Sequence, residues 1–259
     1  MQLSLDFAAD PAPGLIGLRR RLLNAFGSFR DDRRPEPMDQ LVRSMICGRT
    51  QDAASDAAYA RLKLRFHPWG ELLDVPVAEV SSLLGAVTFA ADKVARLNAA
   101  FARIKARTGE VSLAPLAEMP VEEAYTWLRG LEGVGAFAAA ATLNFSSLRR
   151  RVFAVDTHGL RVLQRVGLIG PSVSAEAAGA TLVRIAPAAW TAEDFYELHW
   201  LLKRLGQIRC AHAAPRCGGC PLAGACAGKS EHKPAAPVFR TPRGGAWRSA
   251  YPASGSLAF

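Results

Sequence analysis

LRGLEGVGAFAAA, residues 128–140, is the stretch on which the fold turns. Helical spacing marks Val121–Arg129 before it and Ala136–Leu148 after it, so Leu131, Glu132, Gly133, Val134 and Gly135 form a tight link between two helices. A Gly-Val-Gly turn there leaves backbone N–H groups at the start of the second helix. Helix starts carry partial positive charge and suit phosphate oxygens, and small residues let a sugar–phosphate chain come close. Glycine is common in helix hairpins, so this turn alone defines no function.

Downstream lies VDTHGLRVLQRVG, residues 155–167. An apolar residue, then Asp156 and Thr157, then a helix, is an N-cap pattern. Asp156 is therefore either a capping carboxylate or a carboxylate presented for chemistry. Arg161 and Arg165 follow at helical spacing. Further on, HWLLKRLGQIRC (199–210) opens a cysteine cluster, Cys210, Cys217, Cys220 and Cys226, spaced C-x6-C-x2-C-x5-C. Four soft donors in one loop suit Zn²⁺ or an iron–sulfur cluster. Structural zinc sites usually use two short Cys pairs, and only Cys217 and Cys220 make one here. The spacing favours one [4Fe–4S] cluster over zinc and ranks disulfides last. Cys47, in an apolar stretch, reads as a small buried side chain.

Helical periodicity extends upstream. Leu15, Leu18, Leu22 and Leu23 mark a first helix, and Met38, Leu41, Val42, Met45 and Ile46 a second, entered at Pro37. Helices are expected over Asp52–Phe66, with Asp52 as its cap, and over Val77–Leu84 and Ala91–Arg107. Later ones are expected over His158–Val166, Ser174–Ile185 and Glu193–Leu205. No segment alternates as a strand does, so the chain reads as all-α. Its 259 residues carry 50% hydrophobic side chains and a formal charge of +9. Such a surface attracts polyanions, nucleic acid among them. No run approaches a membrane span and the N-terminus is not a secretory signal, so a cytoplasmic place is expected, nucleoid-associated in a bacterium. Residues 229–259, rich in Pro, Gly and Arg, are expected to form a mobile basic tail. There Arg240, Arg243 and Arg248 alternate with Phe239, Trp247 and Tyr251.

Taken together, LRGLEGVG, VDTHGLRVLQRVG and the spaced cysteines resemble the endonuclease III family of helix-hairpin-helix (HhH-GPD) DNA glycosylases. SMICGRTQD (44–52) and LLGAVTFAADKVARLNAAFARI (83–104) agree in order and spacing, so the resemblance covers roughly residues 36–228. It implies a two-lobed fold with double-stranded DNA bound between the lobes: a six-helix barrel lobe over 36–150, and an iron–sulfur lobe over 151–228 that packs with an N-terminal segment, 1–35. It also implies a monomer, and a damaged or mismatched base flipped out of the stack. Gly133, Val134 and Gly135 would grip the DNA backbone. Arg161, Lys203 and Arg204 are the phosphate-contact candidates, with Arg165, Arg209 and Arg216 beside them, although each taken singly reads first as an ordinary surface charge.

Departures from the family pattern carry the chemistry. Bifunctional members place a lysine two residues after the Gly-Val-Gly, where its amine attacks the sugar. Here that residue is Phe137, and no lysine occurs between Lys105 and Lys203. Asp156 is retained, so the resemblance implies a monofunctional, hydrolytic glycosylase that leaves an abasic site. Adenine-removing relatives carry a catalytic Glu where this chain has Ser44, which argues against A/G-mismatch repair. Relatives acting on thymine or uracil opposite guanine place a tyrosine at the position of Phe137. Uracil or another damaged pyrimidine is the first expectation, and an alkylated purine the second. Phe137 would wall the base pocket, or else belong to the helix core. Arg49 stands where relatives place the Gln that fills the emptied stack, with Gln51 next best; a solvated loop Arg is the alternative. Two further readings stay open: a non-catalytic DNA-structure binder, and a redox sensor whose DNA binding follows cluster charge.

Overall fold

The computed structural model describes residues 11–31 and 34–228; the tail expected over 229–259 lies outside them. In chain order the helices are α1 (Pro11–Phe26), α2 (Pro37–Cys47), α3 (Asp52–Arg65), α4 (Val77–Leu84), α5 (Ala90–Thr108), α6 (Val121–Arg129), α7 (Ala136–Phe145), α8 (Thr157–Arg165), α9 (Ala175–Ile185) and α10 (Ala192–Ile208). There is no strand among the described residues, as the periodicity predicts. None of the described helices is long and apolar enough to cross a membrane. Residues 34–150 form one compact unit, and residues 11–31 with 151–228 form the other.

The first unit is built around α7. From Ala138 to Phe145 every residue of that helix is buried. Its four buried alanines, Ala138 to Ala141, let α2 and α6 approach closely, and α2 also packs on α3 and α5. Leu41, Val42, Ile46, Leu62, Leu97, Phe101 and Leu143 fill the space between, each fully buried. Burying one such side chain is worth about 1.5–3 kcal/mol. A buried carboxylate, Asp39 of α2, accepts a 2.9 Å hydrogen bond from Trp69 Nε1 and pairs with Lys63 of α3. Burial, reinforced by Asp39, raises the pKa of the neighbouring Tyr59 phenol far above its ordinary value.

Two local expectations are corrected. Helix α7 stops at Phe145, not Leu148, because Ser146 turns its hydroxyl back onto Thr142 O at 2.5 Å and receives the Leu148 amide at 3.2 Å. Gln51, not Asp52, is the N-cap of α3, and Asp52 is its first helical residue.

In the second unit α8 and α1 both pack on α10, and α9 lies against α1 and α8. Leu15, Leu22, Leu163, Leu182, Phe195, Leu198, Leu201 and Leu202 form its core. Glu197, 1% exposed in that core, is reached by Arg19 of α1 and by Ser28 Oγ at 2.6 Å. Arg19 and Ser28 satisfy a carboxylate that would be costly if buried alone, while Leu15, Leu18 and Leu22 carry the first helix into the core of this unit.

Candidate nucleic-acid interface and catalytic carboxylate

Gly130 ends α6, and the turn folds back with the Val134 amide donating to Leu131 O at 3.2 Å. Leu131 and Val134 are buried anchors, 3% and 2% exposed, while Gly133 and Gly135 face outward. Gly133 has φ +75°, and a Cβ there would meet Arg96 Cβ at 2.7 Å. Both the conformation and the space require glycine. Gly135 is the N-cap of α7 and has no side chain to satisfy the first amides of that helix. Those amides are suited to an anion.

Phe137, in the first turn of α7, is half-buried, its ring set edge-on to Phe145 with centroids 6.4 Å apart. It belongs wholly neither to the core nor to the surface. Ser44 is buried on α2 and accepts a 3.0 Å hydrogen bond from Gln40 Nε2. Arg49 and Gln51 are exposed in the loop between α2 and α3.

Arg49 has a left-handed backbone, φ 56°. So does Phe89, φ 56°, at the N-cap of α5. Phe89 is 58% exposed, and the Arg49 guanidinium lies 5.9 Å from its ring centroid. An aromatic residue with a left-handed backbone, displayed to solvent, is strained locally, and such strain collects at functional positions. Helical periodicity alone does not mark Phe89. The available signal was an aromatic residue where a helix start favours Ser, Thr, Asp or Asn. Lys93 and Arg96, on the same helix, carry no such local signal.

In the second unit, Asp156 caps α8. Its Oδ1 accepts the Gly159 amide at 2.6 Å, and Oδ2 makes no hydrogen bond among the described residues. The segment leading to it is fixed from two sides. His199 Nδ1 pairs with Ala154 O at 2.9 Å, and Gly179 leaves room for Phe153 O, which a Cβ would approach to 2.7 Å.

Arg161 faces inward. Its Nε donates to Cys210 O at 2.8 Å, and its NH2 group meets Gly206 O at 3.0 Å and His158 Nδ1 at 3.1 Å. Arg165 donates to Ala211 O and His212 O, both at 2.7 Å, and its NH1 lies 3.4 Å from Cys210 Sγ. Both arginines thus brace the cysteine loop, and Arg209 does likewise through Gly218 O at 2.9 Å. On α10 the Lys203 ammonium lies 5.1 Å from the Trp200 ring centroid, and both Lys203 and Arg204 are half-exposed.

Leu222, 2% exposed, anchors the cysteine loop in the core. No disulfide joins Cys210, Cys217, Cys220 and Cys226. Burial raises the Cys220 pKa, a backbone hydrogen bond at Leu222 opposes the rise, and the neighbouring Cys210, Cys226 and Cys217 add to it. Among the described residues no group of three or more His, Cys, Asp or Glu is arranged to hold a metal ion. By chemistry alone, four thiolates are a donor set for either a single soft ion or an iron–sulfur cluster.

Residues 42–187 match the HhH-GPD superfamily base excision DNA repair protein family. Endonuclease III of Sulfolobus acidocaldarius is 24% identical over 204 residues, 72% of this chain and 87% of that one. DEMETER-like protein 2 of Arabidopsis thaliana is 23% identical over 144 residues, 51% of this chain and 11% of that one. The chain spans less than half the length of the plant relatives it matches. The solved structure of a trapped endonuclease III–DNA covalent intermediate superposes with a TM-score of 0.71 at 20% identity, covering 85% of this chain and 97% of that one. The fold is therefore that of a helix-hairpin-helix glycosylase. The chain belongs to the HhH-GPD superfamily of base excision DNA repair proteins.

Proposed function

We propose that the protein is a monofunctional DNA glycosylase that hydrolyses the bond between a flipped, damaged base and its deoxyribose in double-stranded DNA. The observation that carries this reading is Asp156, whose Oδ1 is held by the Gly159 amide while Oδ2 has no hydrogen-bond partner among the described residues. As the glycosidic C–N bond breaks, its electron pair leaves with the base and positive charge grows on the sugar. A carboxylate stabilises that charge and takes a proton from the water that bonds to the anomeric carbon; the base is then protonated and an abasic site remains. With Phe137 where an attacking amine would stand, no imine forms at that position.

The hairpin Gly133–Gly135, with the exposed Arg96 beside it, would hold one phosphate, and Lys203 and Arg204 others. Arg161 has its donors on the cysteine loop, which makes it the weakest phosphate candidate of the set. Arg49 would fill the gap left by the flipped base, with Phe89 beside it. Cys210, Cys217, Cys220 and Cys226 would hold a [4Fe–4S] cluster that staples the loop; an iron assay and an absorption band in the visible-blue range test this. The aromatic ring of Phe137 favours a pyrimidine lesion, uracil first, over an alkylated purine.

The test is a panel of modified duplexes, uracil and alkylated purine included, assayed with and without alkali. Release of a free base, with strand cleavage only after alkali, is expected. A panel in which no base is released would favour a non-catalytic DNA-structure binder.

A further inference from the structure

Lys93 of α5 is 9% exposed, yet it ends in an ammonium. Its Nζ lies 2.7 Å from Ile46 O, 2.6 Å from Gly48 O and 3.1 Å from Thr50 Oγ1. Ile46 and Gly48 stand at the C-terminal end of α2, where carbonyls lack helical partners and the helix dipole is negative. Thr50 Oγ1 lies 2.9 Å from Thr88 Oγ1, and Thr88 Oγ1 donates to Arg49 O. A chain results: Lys93 donates to Thr50, the Thr50 and Thr88 hydroxyls share a hydrogen bond, and Thr88 donates to the carbonyl of Arg49. It couples the loop after α2 to the loop before α5, the two that carry the left-handed residues Arg49 and Phe89.

A lysine is a poor choice if stability alone is at stake. Burial lowers its pKa, with the nearby Cys47 opposing, so the folded state bears a cost for the charged form. Methionine would fill similar space without that cost. The chemistry of an ammonium is needed only if something must be held in one geometry.

We propose that Lys93 is a positioning residue for Arg49: through Thr50 and Thr88 it fixes the Arg49 backbone in the conformation that delivers the guanidinium into the emptied base stack. The inference rests on the reading in which Arg49 fills that gap.

The test compares affinity for a duplex carrying a stable tetrahydrofuran abasic-site analogue opposite guanine with affinity for the intact duplex. Wild type, R49A, K93M and the double variant are measured, with thermal melting of each. Wild type is expected to prefer the gapped duplex, and each single variant to lose about tenfold of that preference, the scale of one stacked base. The double variant should lose no more than R49A alone. K93M retaining the preference, or its loss multiplying with that of R49A, would overturn the inference. If K93M does not fold, T50V interrupts the same chain while leaving the carbonyl contacts of Lys93, and the same cycle applies. No base release is required, so a silent lesion panel would count against the hydrolytic reading while leaving this cycle decisive. A wild-type protein indifferent to the gap would overturn the role of Lys93 together with the gap-filling role of Arg49.

Discussion

Asp156 Oδ1 sits 2.6 Å from the Gly159 amide, so the carboxylate proposed to face the sugar is also the N-cap of α8. One oxygen orients the group, and under the proposed function the other faces the sugar. Capping and catalysis therefore respond differently to substitution. Asn caps as well as Asp, so Asp156→Asn should alter stability by only a few tenths of a kcal/mol, whereas Asp156→Ala should cost about 1 kcal/mol. Base release should fall by roughly 10²–10⁴-fold in both. Paired denaturation curves and single-turnover assays check this, and full activity in Asp156→Asn would remove the carboxylate from the mechanism.

Phe137 offers no lone pair to an anomeric carbon. With abasic-site DNA and borohydride the wild-type protein should form no covalent adduct. Phe137→Lys places an amine in the first turn of α7, at a half-buried position. A trapped adduct with that variant, seen as a gel-shifted band, is the expected outcome. A trapped adduct with the wild type would show that another amine acts.

Phe89 holds a left-handed backbone and 58% exposure at once. Glycine adopts that conformation freely, so Phe89→Gly should leave the melting temperature unchanged or slightly raised. The same substitution removes an aromatic surface worth about 1–3 kcal/mol to an unpaired base, so affinity for gapped duplex should drop by roughly tenfold. Stability and binding moving in opposite directions would mark a strained functional residue. A variant that loses stability and keeps its affinity would mark a structural one.

Burial lowers the Lys93 pKa below its ordinary 10.5. In alkaline solution below 10.5 the folded protein therefore releases this proton before the unfolded chain does. Stability rises with pH wherever the unfolded state holds more protons, so Lys93 contributes a gain as pH climbs through its lowered value toward 10.5. Subtracting the stability–pH curve of Lys93→Met from that of wild type should reveal that gain. A flat difference over the range would show that the ammonium is not desolvated.

Much of the architecture was legible because helices advertise themselves locally. Val77–Leu84 and Val121–Arg129 follow from apolar spacing and their bordering glycines. The end of α7 was not legible, because it depends on where the Ser146 hydroxyl turns. At the candidate site, the capping geometry of Asp156 was readable from Val-Asp-Thr before a helix. The inward course of Arg161 and Arg165 was not: side chains at helical spacing look alike until the cysteine loop offers its carbonyls to them.

The sequence by itself determined the helical class, the glycine hairpin and the thiol loop, since each is a matter of residue type and spacing along the chain; the significance of Asp156 and of Phe137 in place of an amine came from the resemblance to the family pattern. Only the tertiary structure joined Lys93 to Ile46 O, Gly48 O and Thr50, and brought Phe89 beside Arg49. Those contacts bridge about forty residues of sequence, Lys93 to Thr50 being 43 apart. They exist because packed helices carry their connecting loops together, and no local propensity encodes that meeting.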